Sequence, residues 1–153
     1  MNKILFVCHG NICRSVMAEM IMRHLISQQP SITHATIDSC ATSREEIGND
    51  IYPAAKRCLS AHHIPFTRHA ARQITTEDYH TFDIILCMED YNIRYLRRVL
   101  GDEIMNTDAA LPQPKIRRLL NRDVADPWYT GDFETTYRDL VEGCTRLLQT
   151  TIQ

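Results

Sequence analysis

The chain carries no CxxC pair, no histidine pair at finger spacing and no apolar run long enough to span a bilayer. The first two absences argue against a zinc site, since the adjacent His62 and His63 face apart on a helix. The third argues against a membrane span and a signal segment, because Met1-Asn2-Lys3 leads directly into a short run ending at Cys8. Neither sign of charge dominates: 17 Lys and Arg stand against 19 Asp and Glu, a formal net charge of −2. Nothing in that balance points to nucleic acid or a membrane as partner. Repeats, low-complexity tracts and linkers are also missing. The 153 residues are therefore expected to form one domain, 1–153, with a core that needs no staples. The expected location is cytoplasmic, where the six cysteines (8, 13, 40, 58, 87 and 144) would be free thiols. No metal, no cofactor and a monomeric state are expected.

What is present is alternation. Residues 3–8 are a continuous apolar run, as in a strand buried on both faces. After Ser15, the residues Met17, Ile21 and Leu25 make a helical stripe that Pro30 stops. Residues 35–41 read as a second strand and 42–49 as a polar loop. Residues 54–62 read as a helix with Pro53 in its first turn. Thr75-Thr76-Glu77-Asp78 has the composition of a helix start. Residues 83–88 are a third apolar strand, and 90–100 a helix ended by Gly101. Pro112 and Pro114 bracket a loop, 115–120 form a weak fourth strand, and 126–132 a turn-rich loop before a long helix from Phe133. Strands alternating with helices predict an α/β, three-layer domain with a parallel sheet covered on both sides.

The chemistry sits at the end of the first strand, in Cys8-His9-Gly10-Asn11-Ile12-Cys13-Arg14-Ser15. In open parallel sheets ligands bind beyond the carboxyl ends of the strands, where Cys8 lies. Gly10 lets the backbone turn and approach a ligand. Consecutive N–H groups from His9 to Arg14 can form an anion nest, to which the following helix adds its positive end. Arg14 adds a planar fork suited to two phosphate oxygens. The Cys-x5-Arg spacing closes the loop once, so thiol and guanidinium face one centre. These surroundings favour the Cys8 thiolate. The larger share of rate is expected from the amides and Arg14 acting on a transferring phosphoryl group. Ser15 can donate to that thiolate or cap the helix. Cys13 either supplies only an amide or forms a reversible disulfide with Cys8. Thiol-based phosphate ester hydrolysis also needs a carboxyl group to protonate a leaving phenolate and then activate water. Asp126 is the candidate, biased toward extended backbone by Pro127. Beside it, Trp128 and Tyr129 either wall a slot for a phenyl ring or belong to the core.

The run Val7 to Ser15 resembles the signature of the low-molecular-weight protein tyrosine phosphatases. The resemblance continues through Ala18-Glu19, Asp38-Ser39, Ala41-Thr42-Ser43, Ile47-Gly48-Asn49, His62 to Pro65, Ala71 to Thr75, Phe82 to Met88, and Asp126-Pro127 to Thr135. It implies a four-stranded parallel sheet flanked by helices, a phosphate-binding loop after the first strand, and no metal. It further implies one phosphatase domain that hydrolyses phosphotyrosine in a protein or peptide through a phosphocysteine on Cys8. Arg14 would bind the phosphoryl oxygens, Asp126 would act as acid and then base, and inorganic phosphate would be the product. His9, Gly10, Ile12 and Cys13 fall in the family's phosphate-binding loop. Asn11 resembles an asparagine that holds the loop's shape, and His69 a histidine that supports it. Trp128 and Tyr129 fall where aromatics shape substrate choice.

Val16 replaces a usual proline, Trp128 stands where tyrosine is frequent, and Arg44-Glu45-Glu46 replaces smaller or aromatic residues beside the site. Three other readings fit less well. Arsenate reductases on this fold need a cysteine pair near the third strand, where Cys87 is alone. Phosphoarginine phosphatases carry threonine where this chain has Ile12. A phosphotyrosine-binding module would have no need of Asp126.

Overall fold

The computed structural model describes residues 2–152. Its strands are β1 (Lys3–Cys8), β2 (Thr36–Ala41), β3 (Ile84–Cys87) and β4 (Ile116–Arg118). Its helices are α1 (Arg14–Ser27), α2 (Pro53–Ala61), α3 (Thr76–Thr81), α4 (Asp90–Leu100), α5 (Asp102–Ala109), α6 (Pro127–Thr130) and α7 (Phe133–Thr150). The strands pair in parallel in the order β2-β1-β3-β4.

β1 is central, and its side chains alternate between the faces of the sheet. Ile4, Phe6 and Cys8 enter one core with Met17, Ile21, Leu59, Leu140 and Leu147, which belong to α1, α2 and α7. Leu5 and Val7 enter the other with Tyr79, Leu96, Leu100 and Met105, which belong to α3, α4 and α5. This is the expected three-layer arrangement. The chain leaves β1 toward β2 on one side and returns to β3 on the other, so a crevice opens beyond the carboxyl ends of β1 and β3.

Four elements differ from the sequence reading. The stripe understates α1, in which every residue from Arg14 to Met22 is buried. That helix packs against both the sheet and α7, so a one-sided pattern is not required of its first half. A helix, α5, occupies residues between Gly101 and Pro112 to which the sequence reading assigns no element. Gly101 sits at φ 89, ends α4 and starts α5, whose buried Asp108 accepts from the amides of Lys115 and Ile116. β4 is three residues long because the chain turns after Arg118, sending Leu119 and Leu120 into the core. Residues 127–130 form a single helical turn, α6, with Asp126 as N-cap and Gly131 at φ 72 as its end.

Leu119 packs against Gly143 of α7 so tightly that a Cβ there would clash with Leu119 Cγ. Gly143→Ala is therefore expected to cost about 1–3 kcal/mol by overpacking. Better helix propensity offsets up to about 1 kcal/mol of that. Urea unfolding should show a net loss that shrinks when Leu119→Ala is added. An unchanged midpoint in the single variant would contradict this packing.

Candidate active site

The loop from Cys8 to Arg14 is held from outside by its carbonyls. Cys8 O accepts from Thr42 N at 2.9 Å, His9 O from Ser43 N at 3.1 Å and Ile12 O from Tyr52 N at 2.9 Å. Cys13 O accepts from Met17 N at 2.9 Å, the first bond of α1. Asn11 O accepts from His69 Nε2 at 2.8 Å. A trans peptide points its N–H opposite to its C=O. With these carbonyls turned outward, the amides of His9, Gly10, Ile12, Cys13 and Arg14 turn toward the loop's centre, an anion nest.

The hinge of the loop is Asn11, not Gly10. Asn11 has φ 62, whereas Gly10 is not among the positive-φ glycines. Asparagine tolerates that region better than most residues. Its side chain also has partners at both ends. Nδ2 donates to Ser15 Oγ at 2.8 Å and Ser39 Oγ at 3.0 Å. Oδ1 accepts from Arg72 N at 3.2 Å and His69 Nε2 at 3.1 Å. His69 Nε2 faces two acceptors, so it carries the proton. Ser39 Oγ continues the network to the buried Glu19 at 2.6 Å, which Arg23 holds from the same helix at 2.9 Å. His69 in turn donates its amide to Asp50, whose carboxyl is held down at about 2 by Lys56 first and this amide second.

Cys8 Sγ sits between Ser15 Oγ at 3.0 Å and the amide of Asn11 at 3.3 Å. Ser15 Oγ already accepts from Asn11, so its own hydrogen can turn toward the sulfur. Ser15 is not a cap: α1 begins at Arg14, with Cys13 at the N-cap and no side-chain bond there.

Arg14 is 1 % exposed. Its NH1 donates to Val124 O at 2.9 Å, while NH2 reaches Glu89 Oε1 and Asp126 Oδ2, both at 3.3 Å. Burial opposes its charge, yet Cys8, Asp126 and Glu89 together hold its pKa above the ordinary value. Asp126 has the extended backbone expected before proline, and its other oxygen accepts from Trp128 N at 3.1 Å. Trp128 and Tyr129 are 53 % and 84 % exposed, which removes the core reading for both. They line one cavity of about 140 Å³ together with the loop, Asp126, Glu45 and Glu46. Tyr52 packs edge-on against Trp128 at 4.9 Å between ring centres.

The structure thus gathers Cys8 to Ser15, His69, Asp126, Trp128 and Tyr129 around one place. Glu89, Val124, Tyr52, Ser39 and Glu19 were not singled out as site residues by sequence reasoning. Only Ser39 and Glu19 carried any signal, inside the Asp38-Ser39 and Ala18-Glu19 matches. All six cysteines are free and buried. Burial first, then the Cys8 charge, pushes the Cys13 thiol up to about 12. Among the described residues, the group of side chains close enough to hold a metal lies elsewhere, at Cys58, His62 and Glu134. Chemically, the cradle can bind a tetrahedral oxyanion with its phosphorus over Cys8, beneath a carboxyl group.

Fold and site together define an α/β protein with a Cys-x5-Arg anion loop at the carboxyl edge of its sheet. Residues 3–153 match the family described as low molecular weight phosphotyrosine protein phosphatase. The human protein of that name is 41 % identical over 154 residues, covering 95 % of this chain and 93 % of its own length. The crystal structure of YfkJ from Bacillus subtilis superposes with a TM-score of 0.86 at 36 % identity, covering 98 % of this chain and 94 % of that one. That of DARP, described as a drosophila arginine phosphatase, gives 0.79 at 30 % identity, with 96 % of each chain covered. The chain belongs to the low molecular weight phosphotyrosine protein phosphatase family.

Replacing Asn11 separates the two means by which the loop is held. Asn11→Ala strips partners from Ser15, Ser39, Arg72 and His69, at about 1–3 kcal/mol for each buried group left unsatisfied. It also forces an alanine to positive φ, roughly 1–2 kcal/mol. Asn11→Gly loses the partners only. Denaturant unfolding should rank wild type above Asn11→Gly, and Asn11→Gly above Asn11→Ala by about 1 kcal/mol. Equal stability of the two variants would mean that backbone strain at this residue is not significant.

Proposed function

We propose that the chain hydrolyses aryl phosphate monoesters, with phosphotyrosine in a protein or peptide as the substrate class. The observation that carries this reading is Cys8 Sγ lying between two donors on the floor of a cavity with Asp126 on its rim. In the first step the Cys8 thiolate attacks phosphorus. The S–P bond forms, the bond to the aryl oxygen breaks, and Asp126 gives its proton to that oxygen. The inward amides and Arg14 hold the three equatorial oxygens as charge redistributes. In the second step Asp126 takes a proton from water, the water oxygen attacks phosphorus and the thiolate leaves. Ser15 and the Asn11 amide stabilise that departing sulfur. Inorganic phosphate is the product.

Arg14 is anchored by Val124 O at 2.9 Å, and its contacts with Glu89 and Asp126, both at 3.3 Å, are long for charge-assisted bonds. A phosphoryl dianion can therefore take the Asp126-facing edge and release the carboxyl group toward the leaving oxygen. Trp128 and Tyr129 give apolar walls for a phenyl ring, and Ile12 adds methyl surface with no hydroxyl for a guanidino group. Glu45 and Glu46 make the rim acidic, which disfavours phosphotyrosines flanked by acidic residues.

A thiol relay of the arsenate-reductase kind gains no support. Cys87 is fully buried in β3, and burial holds its thiol well above the ordinary value. Cys13 serves the cradle through its amide. Burial first and the Cys8 charge second raise its thiol, which makes it a slow partner for Cys8.

Turnover of p-nitrophenyl phosphate and of a phosphotyrosyl peptide tests the assignment. Cys8→Ser should abolish both. Asp126→Ala should slow the peptide by about 10²–10⁴-fold. In kcat/KM, which reports the first step, the nitrophenyl ester should be slowed less, because its leaving group needs less protonation. Normal turnover in Cys8→Ser, or an equal loss on both substrates in Asp126→Ala, would contradict these roles.

A further inference from the structure

We propose that Cys58, His62 and Glu134 form a binding site for one tetrahedral divalent cation, with zinc as the cation whose chemistry fits. Cys58 and His62 stand four residues apart at the end of α2, on one side of the helix. Glu134, in the first turn of α7, faces them. The three ligand atoms lie within 4.8 Å of one another. Cys58 Sγ is 3.7 Å from Glu134 Oε1, and His62 Nε2 is 2.9 and 2.8 Å from the two carboxylate oxygens.

Those separations can be compared with a metal's demands. Zinc holds sulfur at ~2.3 Å and nitrogen or oxygen at ~2.0–2.1 Å, so its tetrahedral ligand atoms stand about 3.3–3.5 Å apart. The sulfur–carboxylate separation is close to this already. The imidazole and carboxylate need to part by about 0.5 Å to admit the ion, while the sulfur and the imidazole nitrogen, no more than 4.8 Å apart, take up the same spacing. Both side chains are exposed enough to move and to leave an entry path, while Cys58 is buried beneath them. Tyr137 stacks on the His62 ring at 3.8 Å and 15°, which fixes the ring plane. One thiolate, one imidazole and one carboxylate suit zinc and not magnesium or calcium. On binding, Cys58 releases its proton to solvent as the Zn–S bond forms, and no atom changes oxidation state. A water would complete the tetrahedron.

The site would tie α2 to α7 behind the catalytic cavity. Tyr52, the residue before α2, contacts both Trp128 and Phe133 through its ring and holds the loop at Ile12 O. An ion here would act as a staple between α2 and α7, with no part in the chemistry.

The test uses the full chain as Cys8→Ser, so that the cavity sulfur cannot compete for metal, with cobalt(II) and zinc as probes. One equivalent of cobalt should give thiolate-to-cobalt charge-transfer absorption and tetrahedral d–d bands, both removed by zinc. Adding Cys58→Ser should abolish the charge-transfer band. Adding Glu134→Gln or His62→Gln should weaken zinc binding at least about tenfold, while circular dichroism confirms folding. Glu134 is exposed, so its variant keeps the test valid if Cys58→Ser folds poorly. No band in the Cys8→Ser protein, a band that survives Cys58→Ser, or less than tenfold weakening in Glu134→Gln would overturn the proposal. The trio would then be an ion pair beside an inert thiol.

Discussion

The left-handed turn at Asn11 is the constraint on which the site depends. With φ at 62, this residue reverses the loop so that its carbonyls meet the surrounding backbone. The amides then have nowhere to point but inward. Such a conformation costs free energy that local sequence does not return. It persists because Ser15, Ser39, Arg72 and His69 all hold the Asn11 side chain. These four come from three parts of the fold: α1, β2 and the segment before α3, which supplies both His69 and Arg72. The sheet therefore acts on the chemistry by fixing one dihedral angle. The same side chain delivers Ser15 to the sulfur, so loop shape and sulfur solvation are set together.

Arg14 supplies the second coupling. A guanidinium that is almost fully buried must be neutralised, and here the counter-charges are Glu89 and Asp126. Glu89 follows β3, while Val124 and Asp126 follow β4. The segments after two strands thus converge on the cation that follows β1. Asn92 assists by accepting the amides of Met88 and Glu89 at 3.1 Å each, which fixes the turn after β3. One charge thereby positions both the anion site and the carboxyl group beside it.

Most of the architecture was legible because its signals are local. The run 3–8 reads as a doubly buried strand, and the Cys-x5-Arg spacing with a helix behind it reads as an anion loop. Legibility failed where a contact decides. Gly10 looks like the conformational hinge, yet a buried amide network moves that role to Asn11. Ser15 could donate to the sulfur or cap the helix, and the structure places its hydroxyl on the sulfur. Trp128 and Tyr129 could have been core, and the structure leaves them exposed on the rim. Glu89 and Val124 have no motif, since their function is to meet an arginine far away in sequence. The same holds for Cys58, His62 and Glu134. A search for CxxC and paired histidines passes over a cysteine and histidine four residues apart whose carboxylate lies on another helix.

The central claim is that Cys8 carries the phosphoryl group between two steps that share Asp126. In Asp126→Ala, a good leaving group departs without the acid, but water lacks its base. Mixing this variant with p-nitrophenyl phosphate under rapid quench should release a burst of nitrophenol close to one per enzyme. Mass spectrometry of the acid-quenched protein should locate one phosphate on Cys8. A linear release with no burst, together with unmodified Cys8 during turnover, would contradict the account.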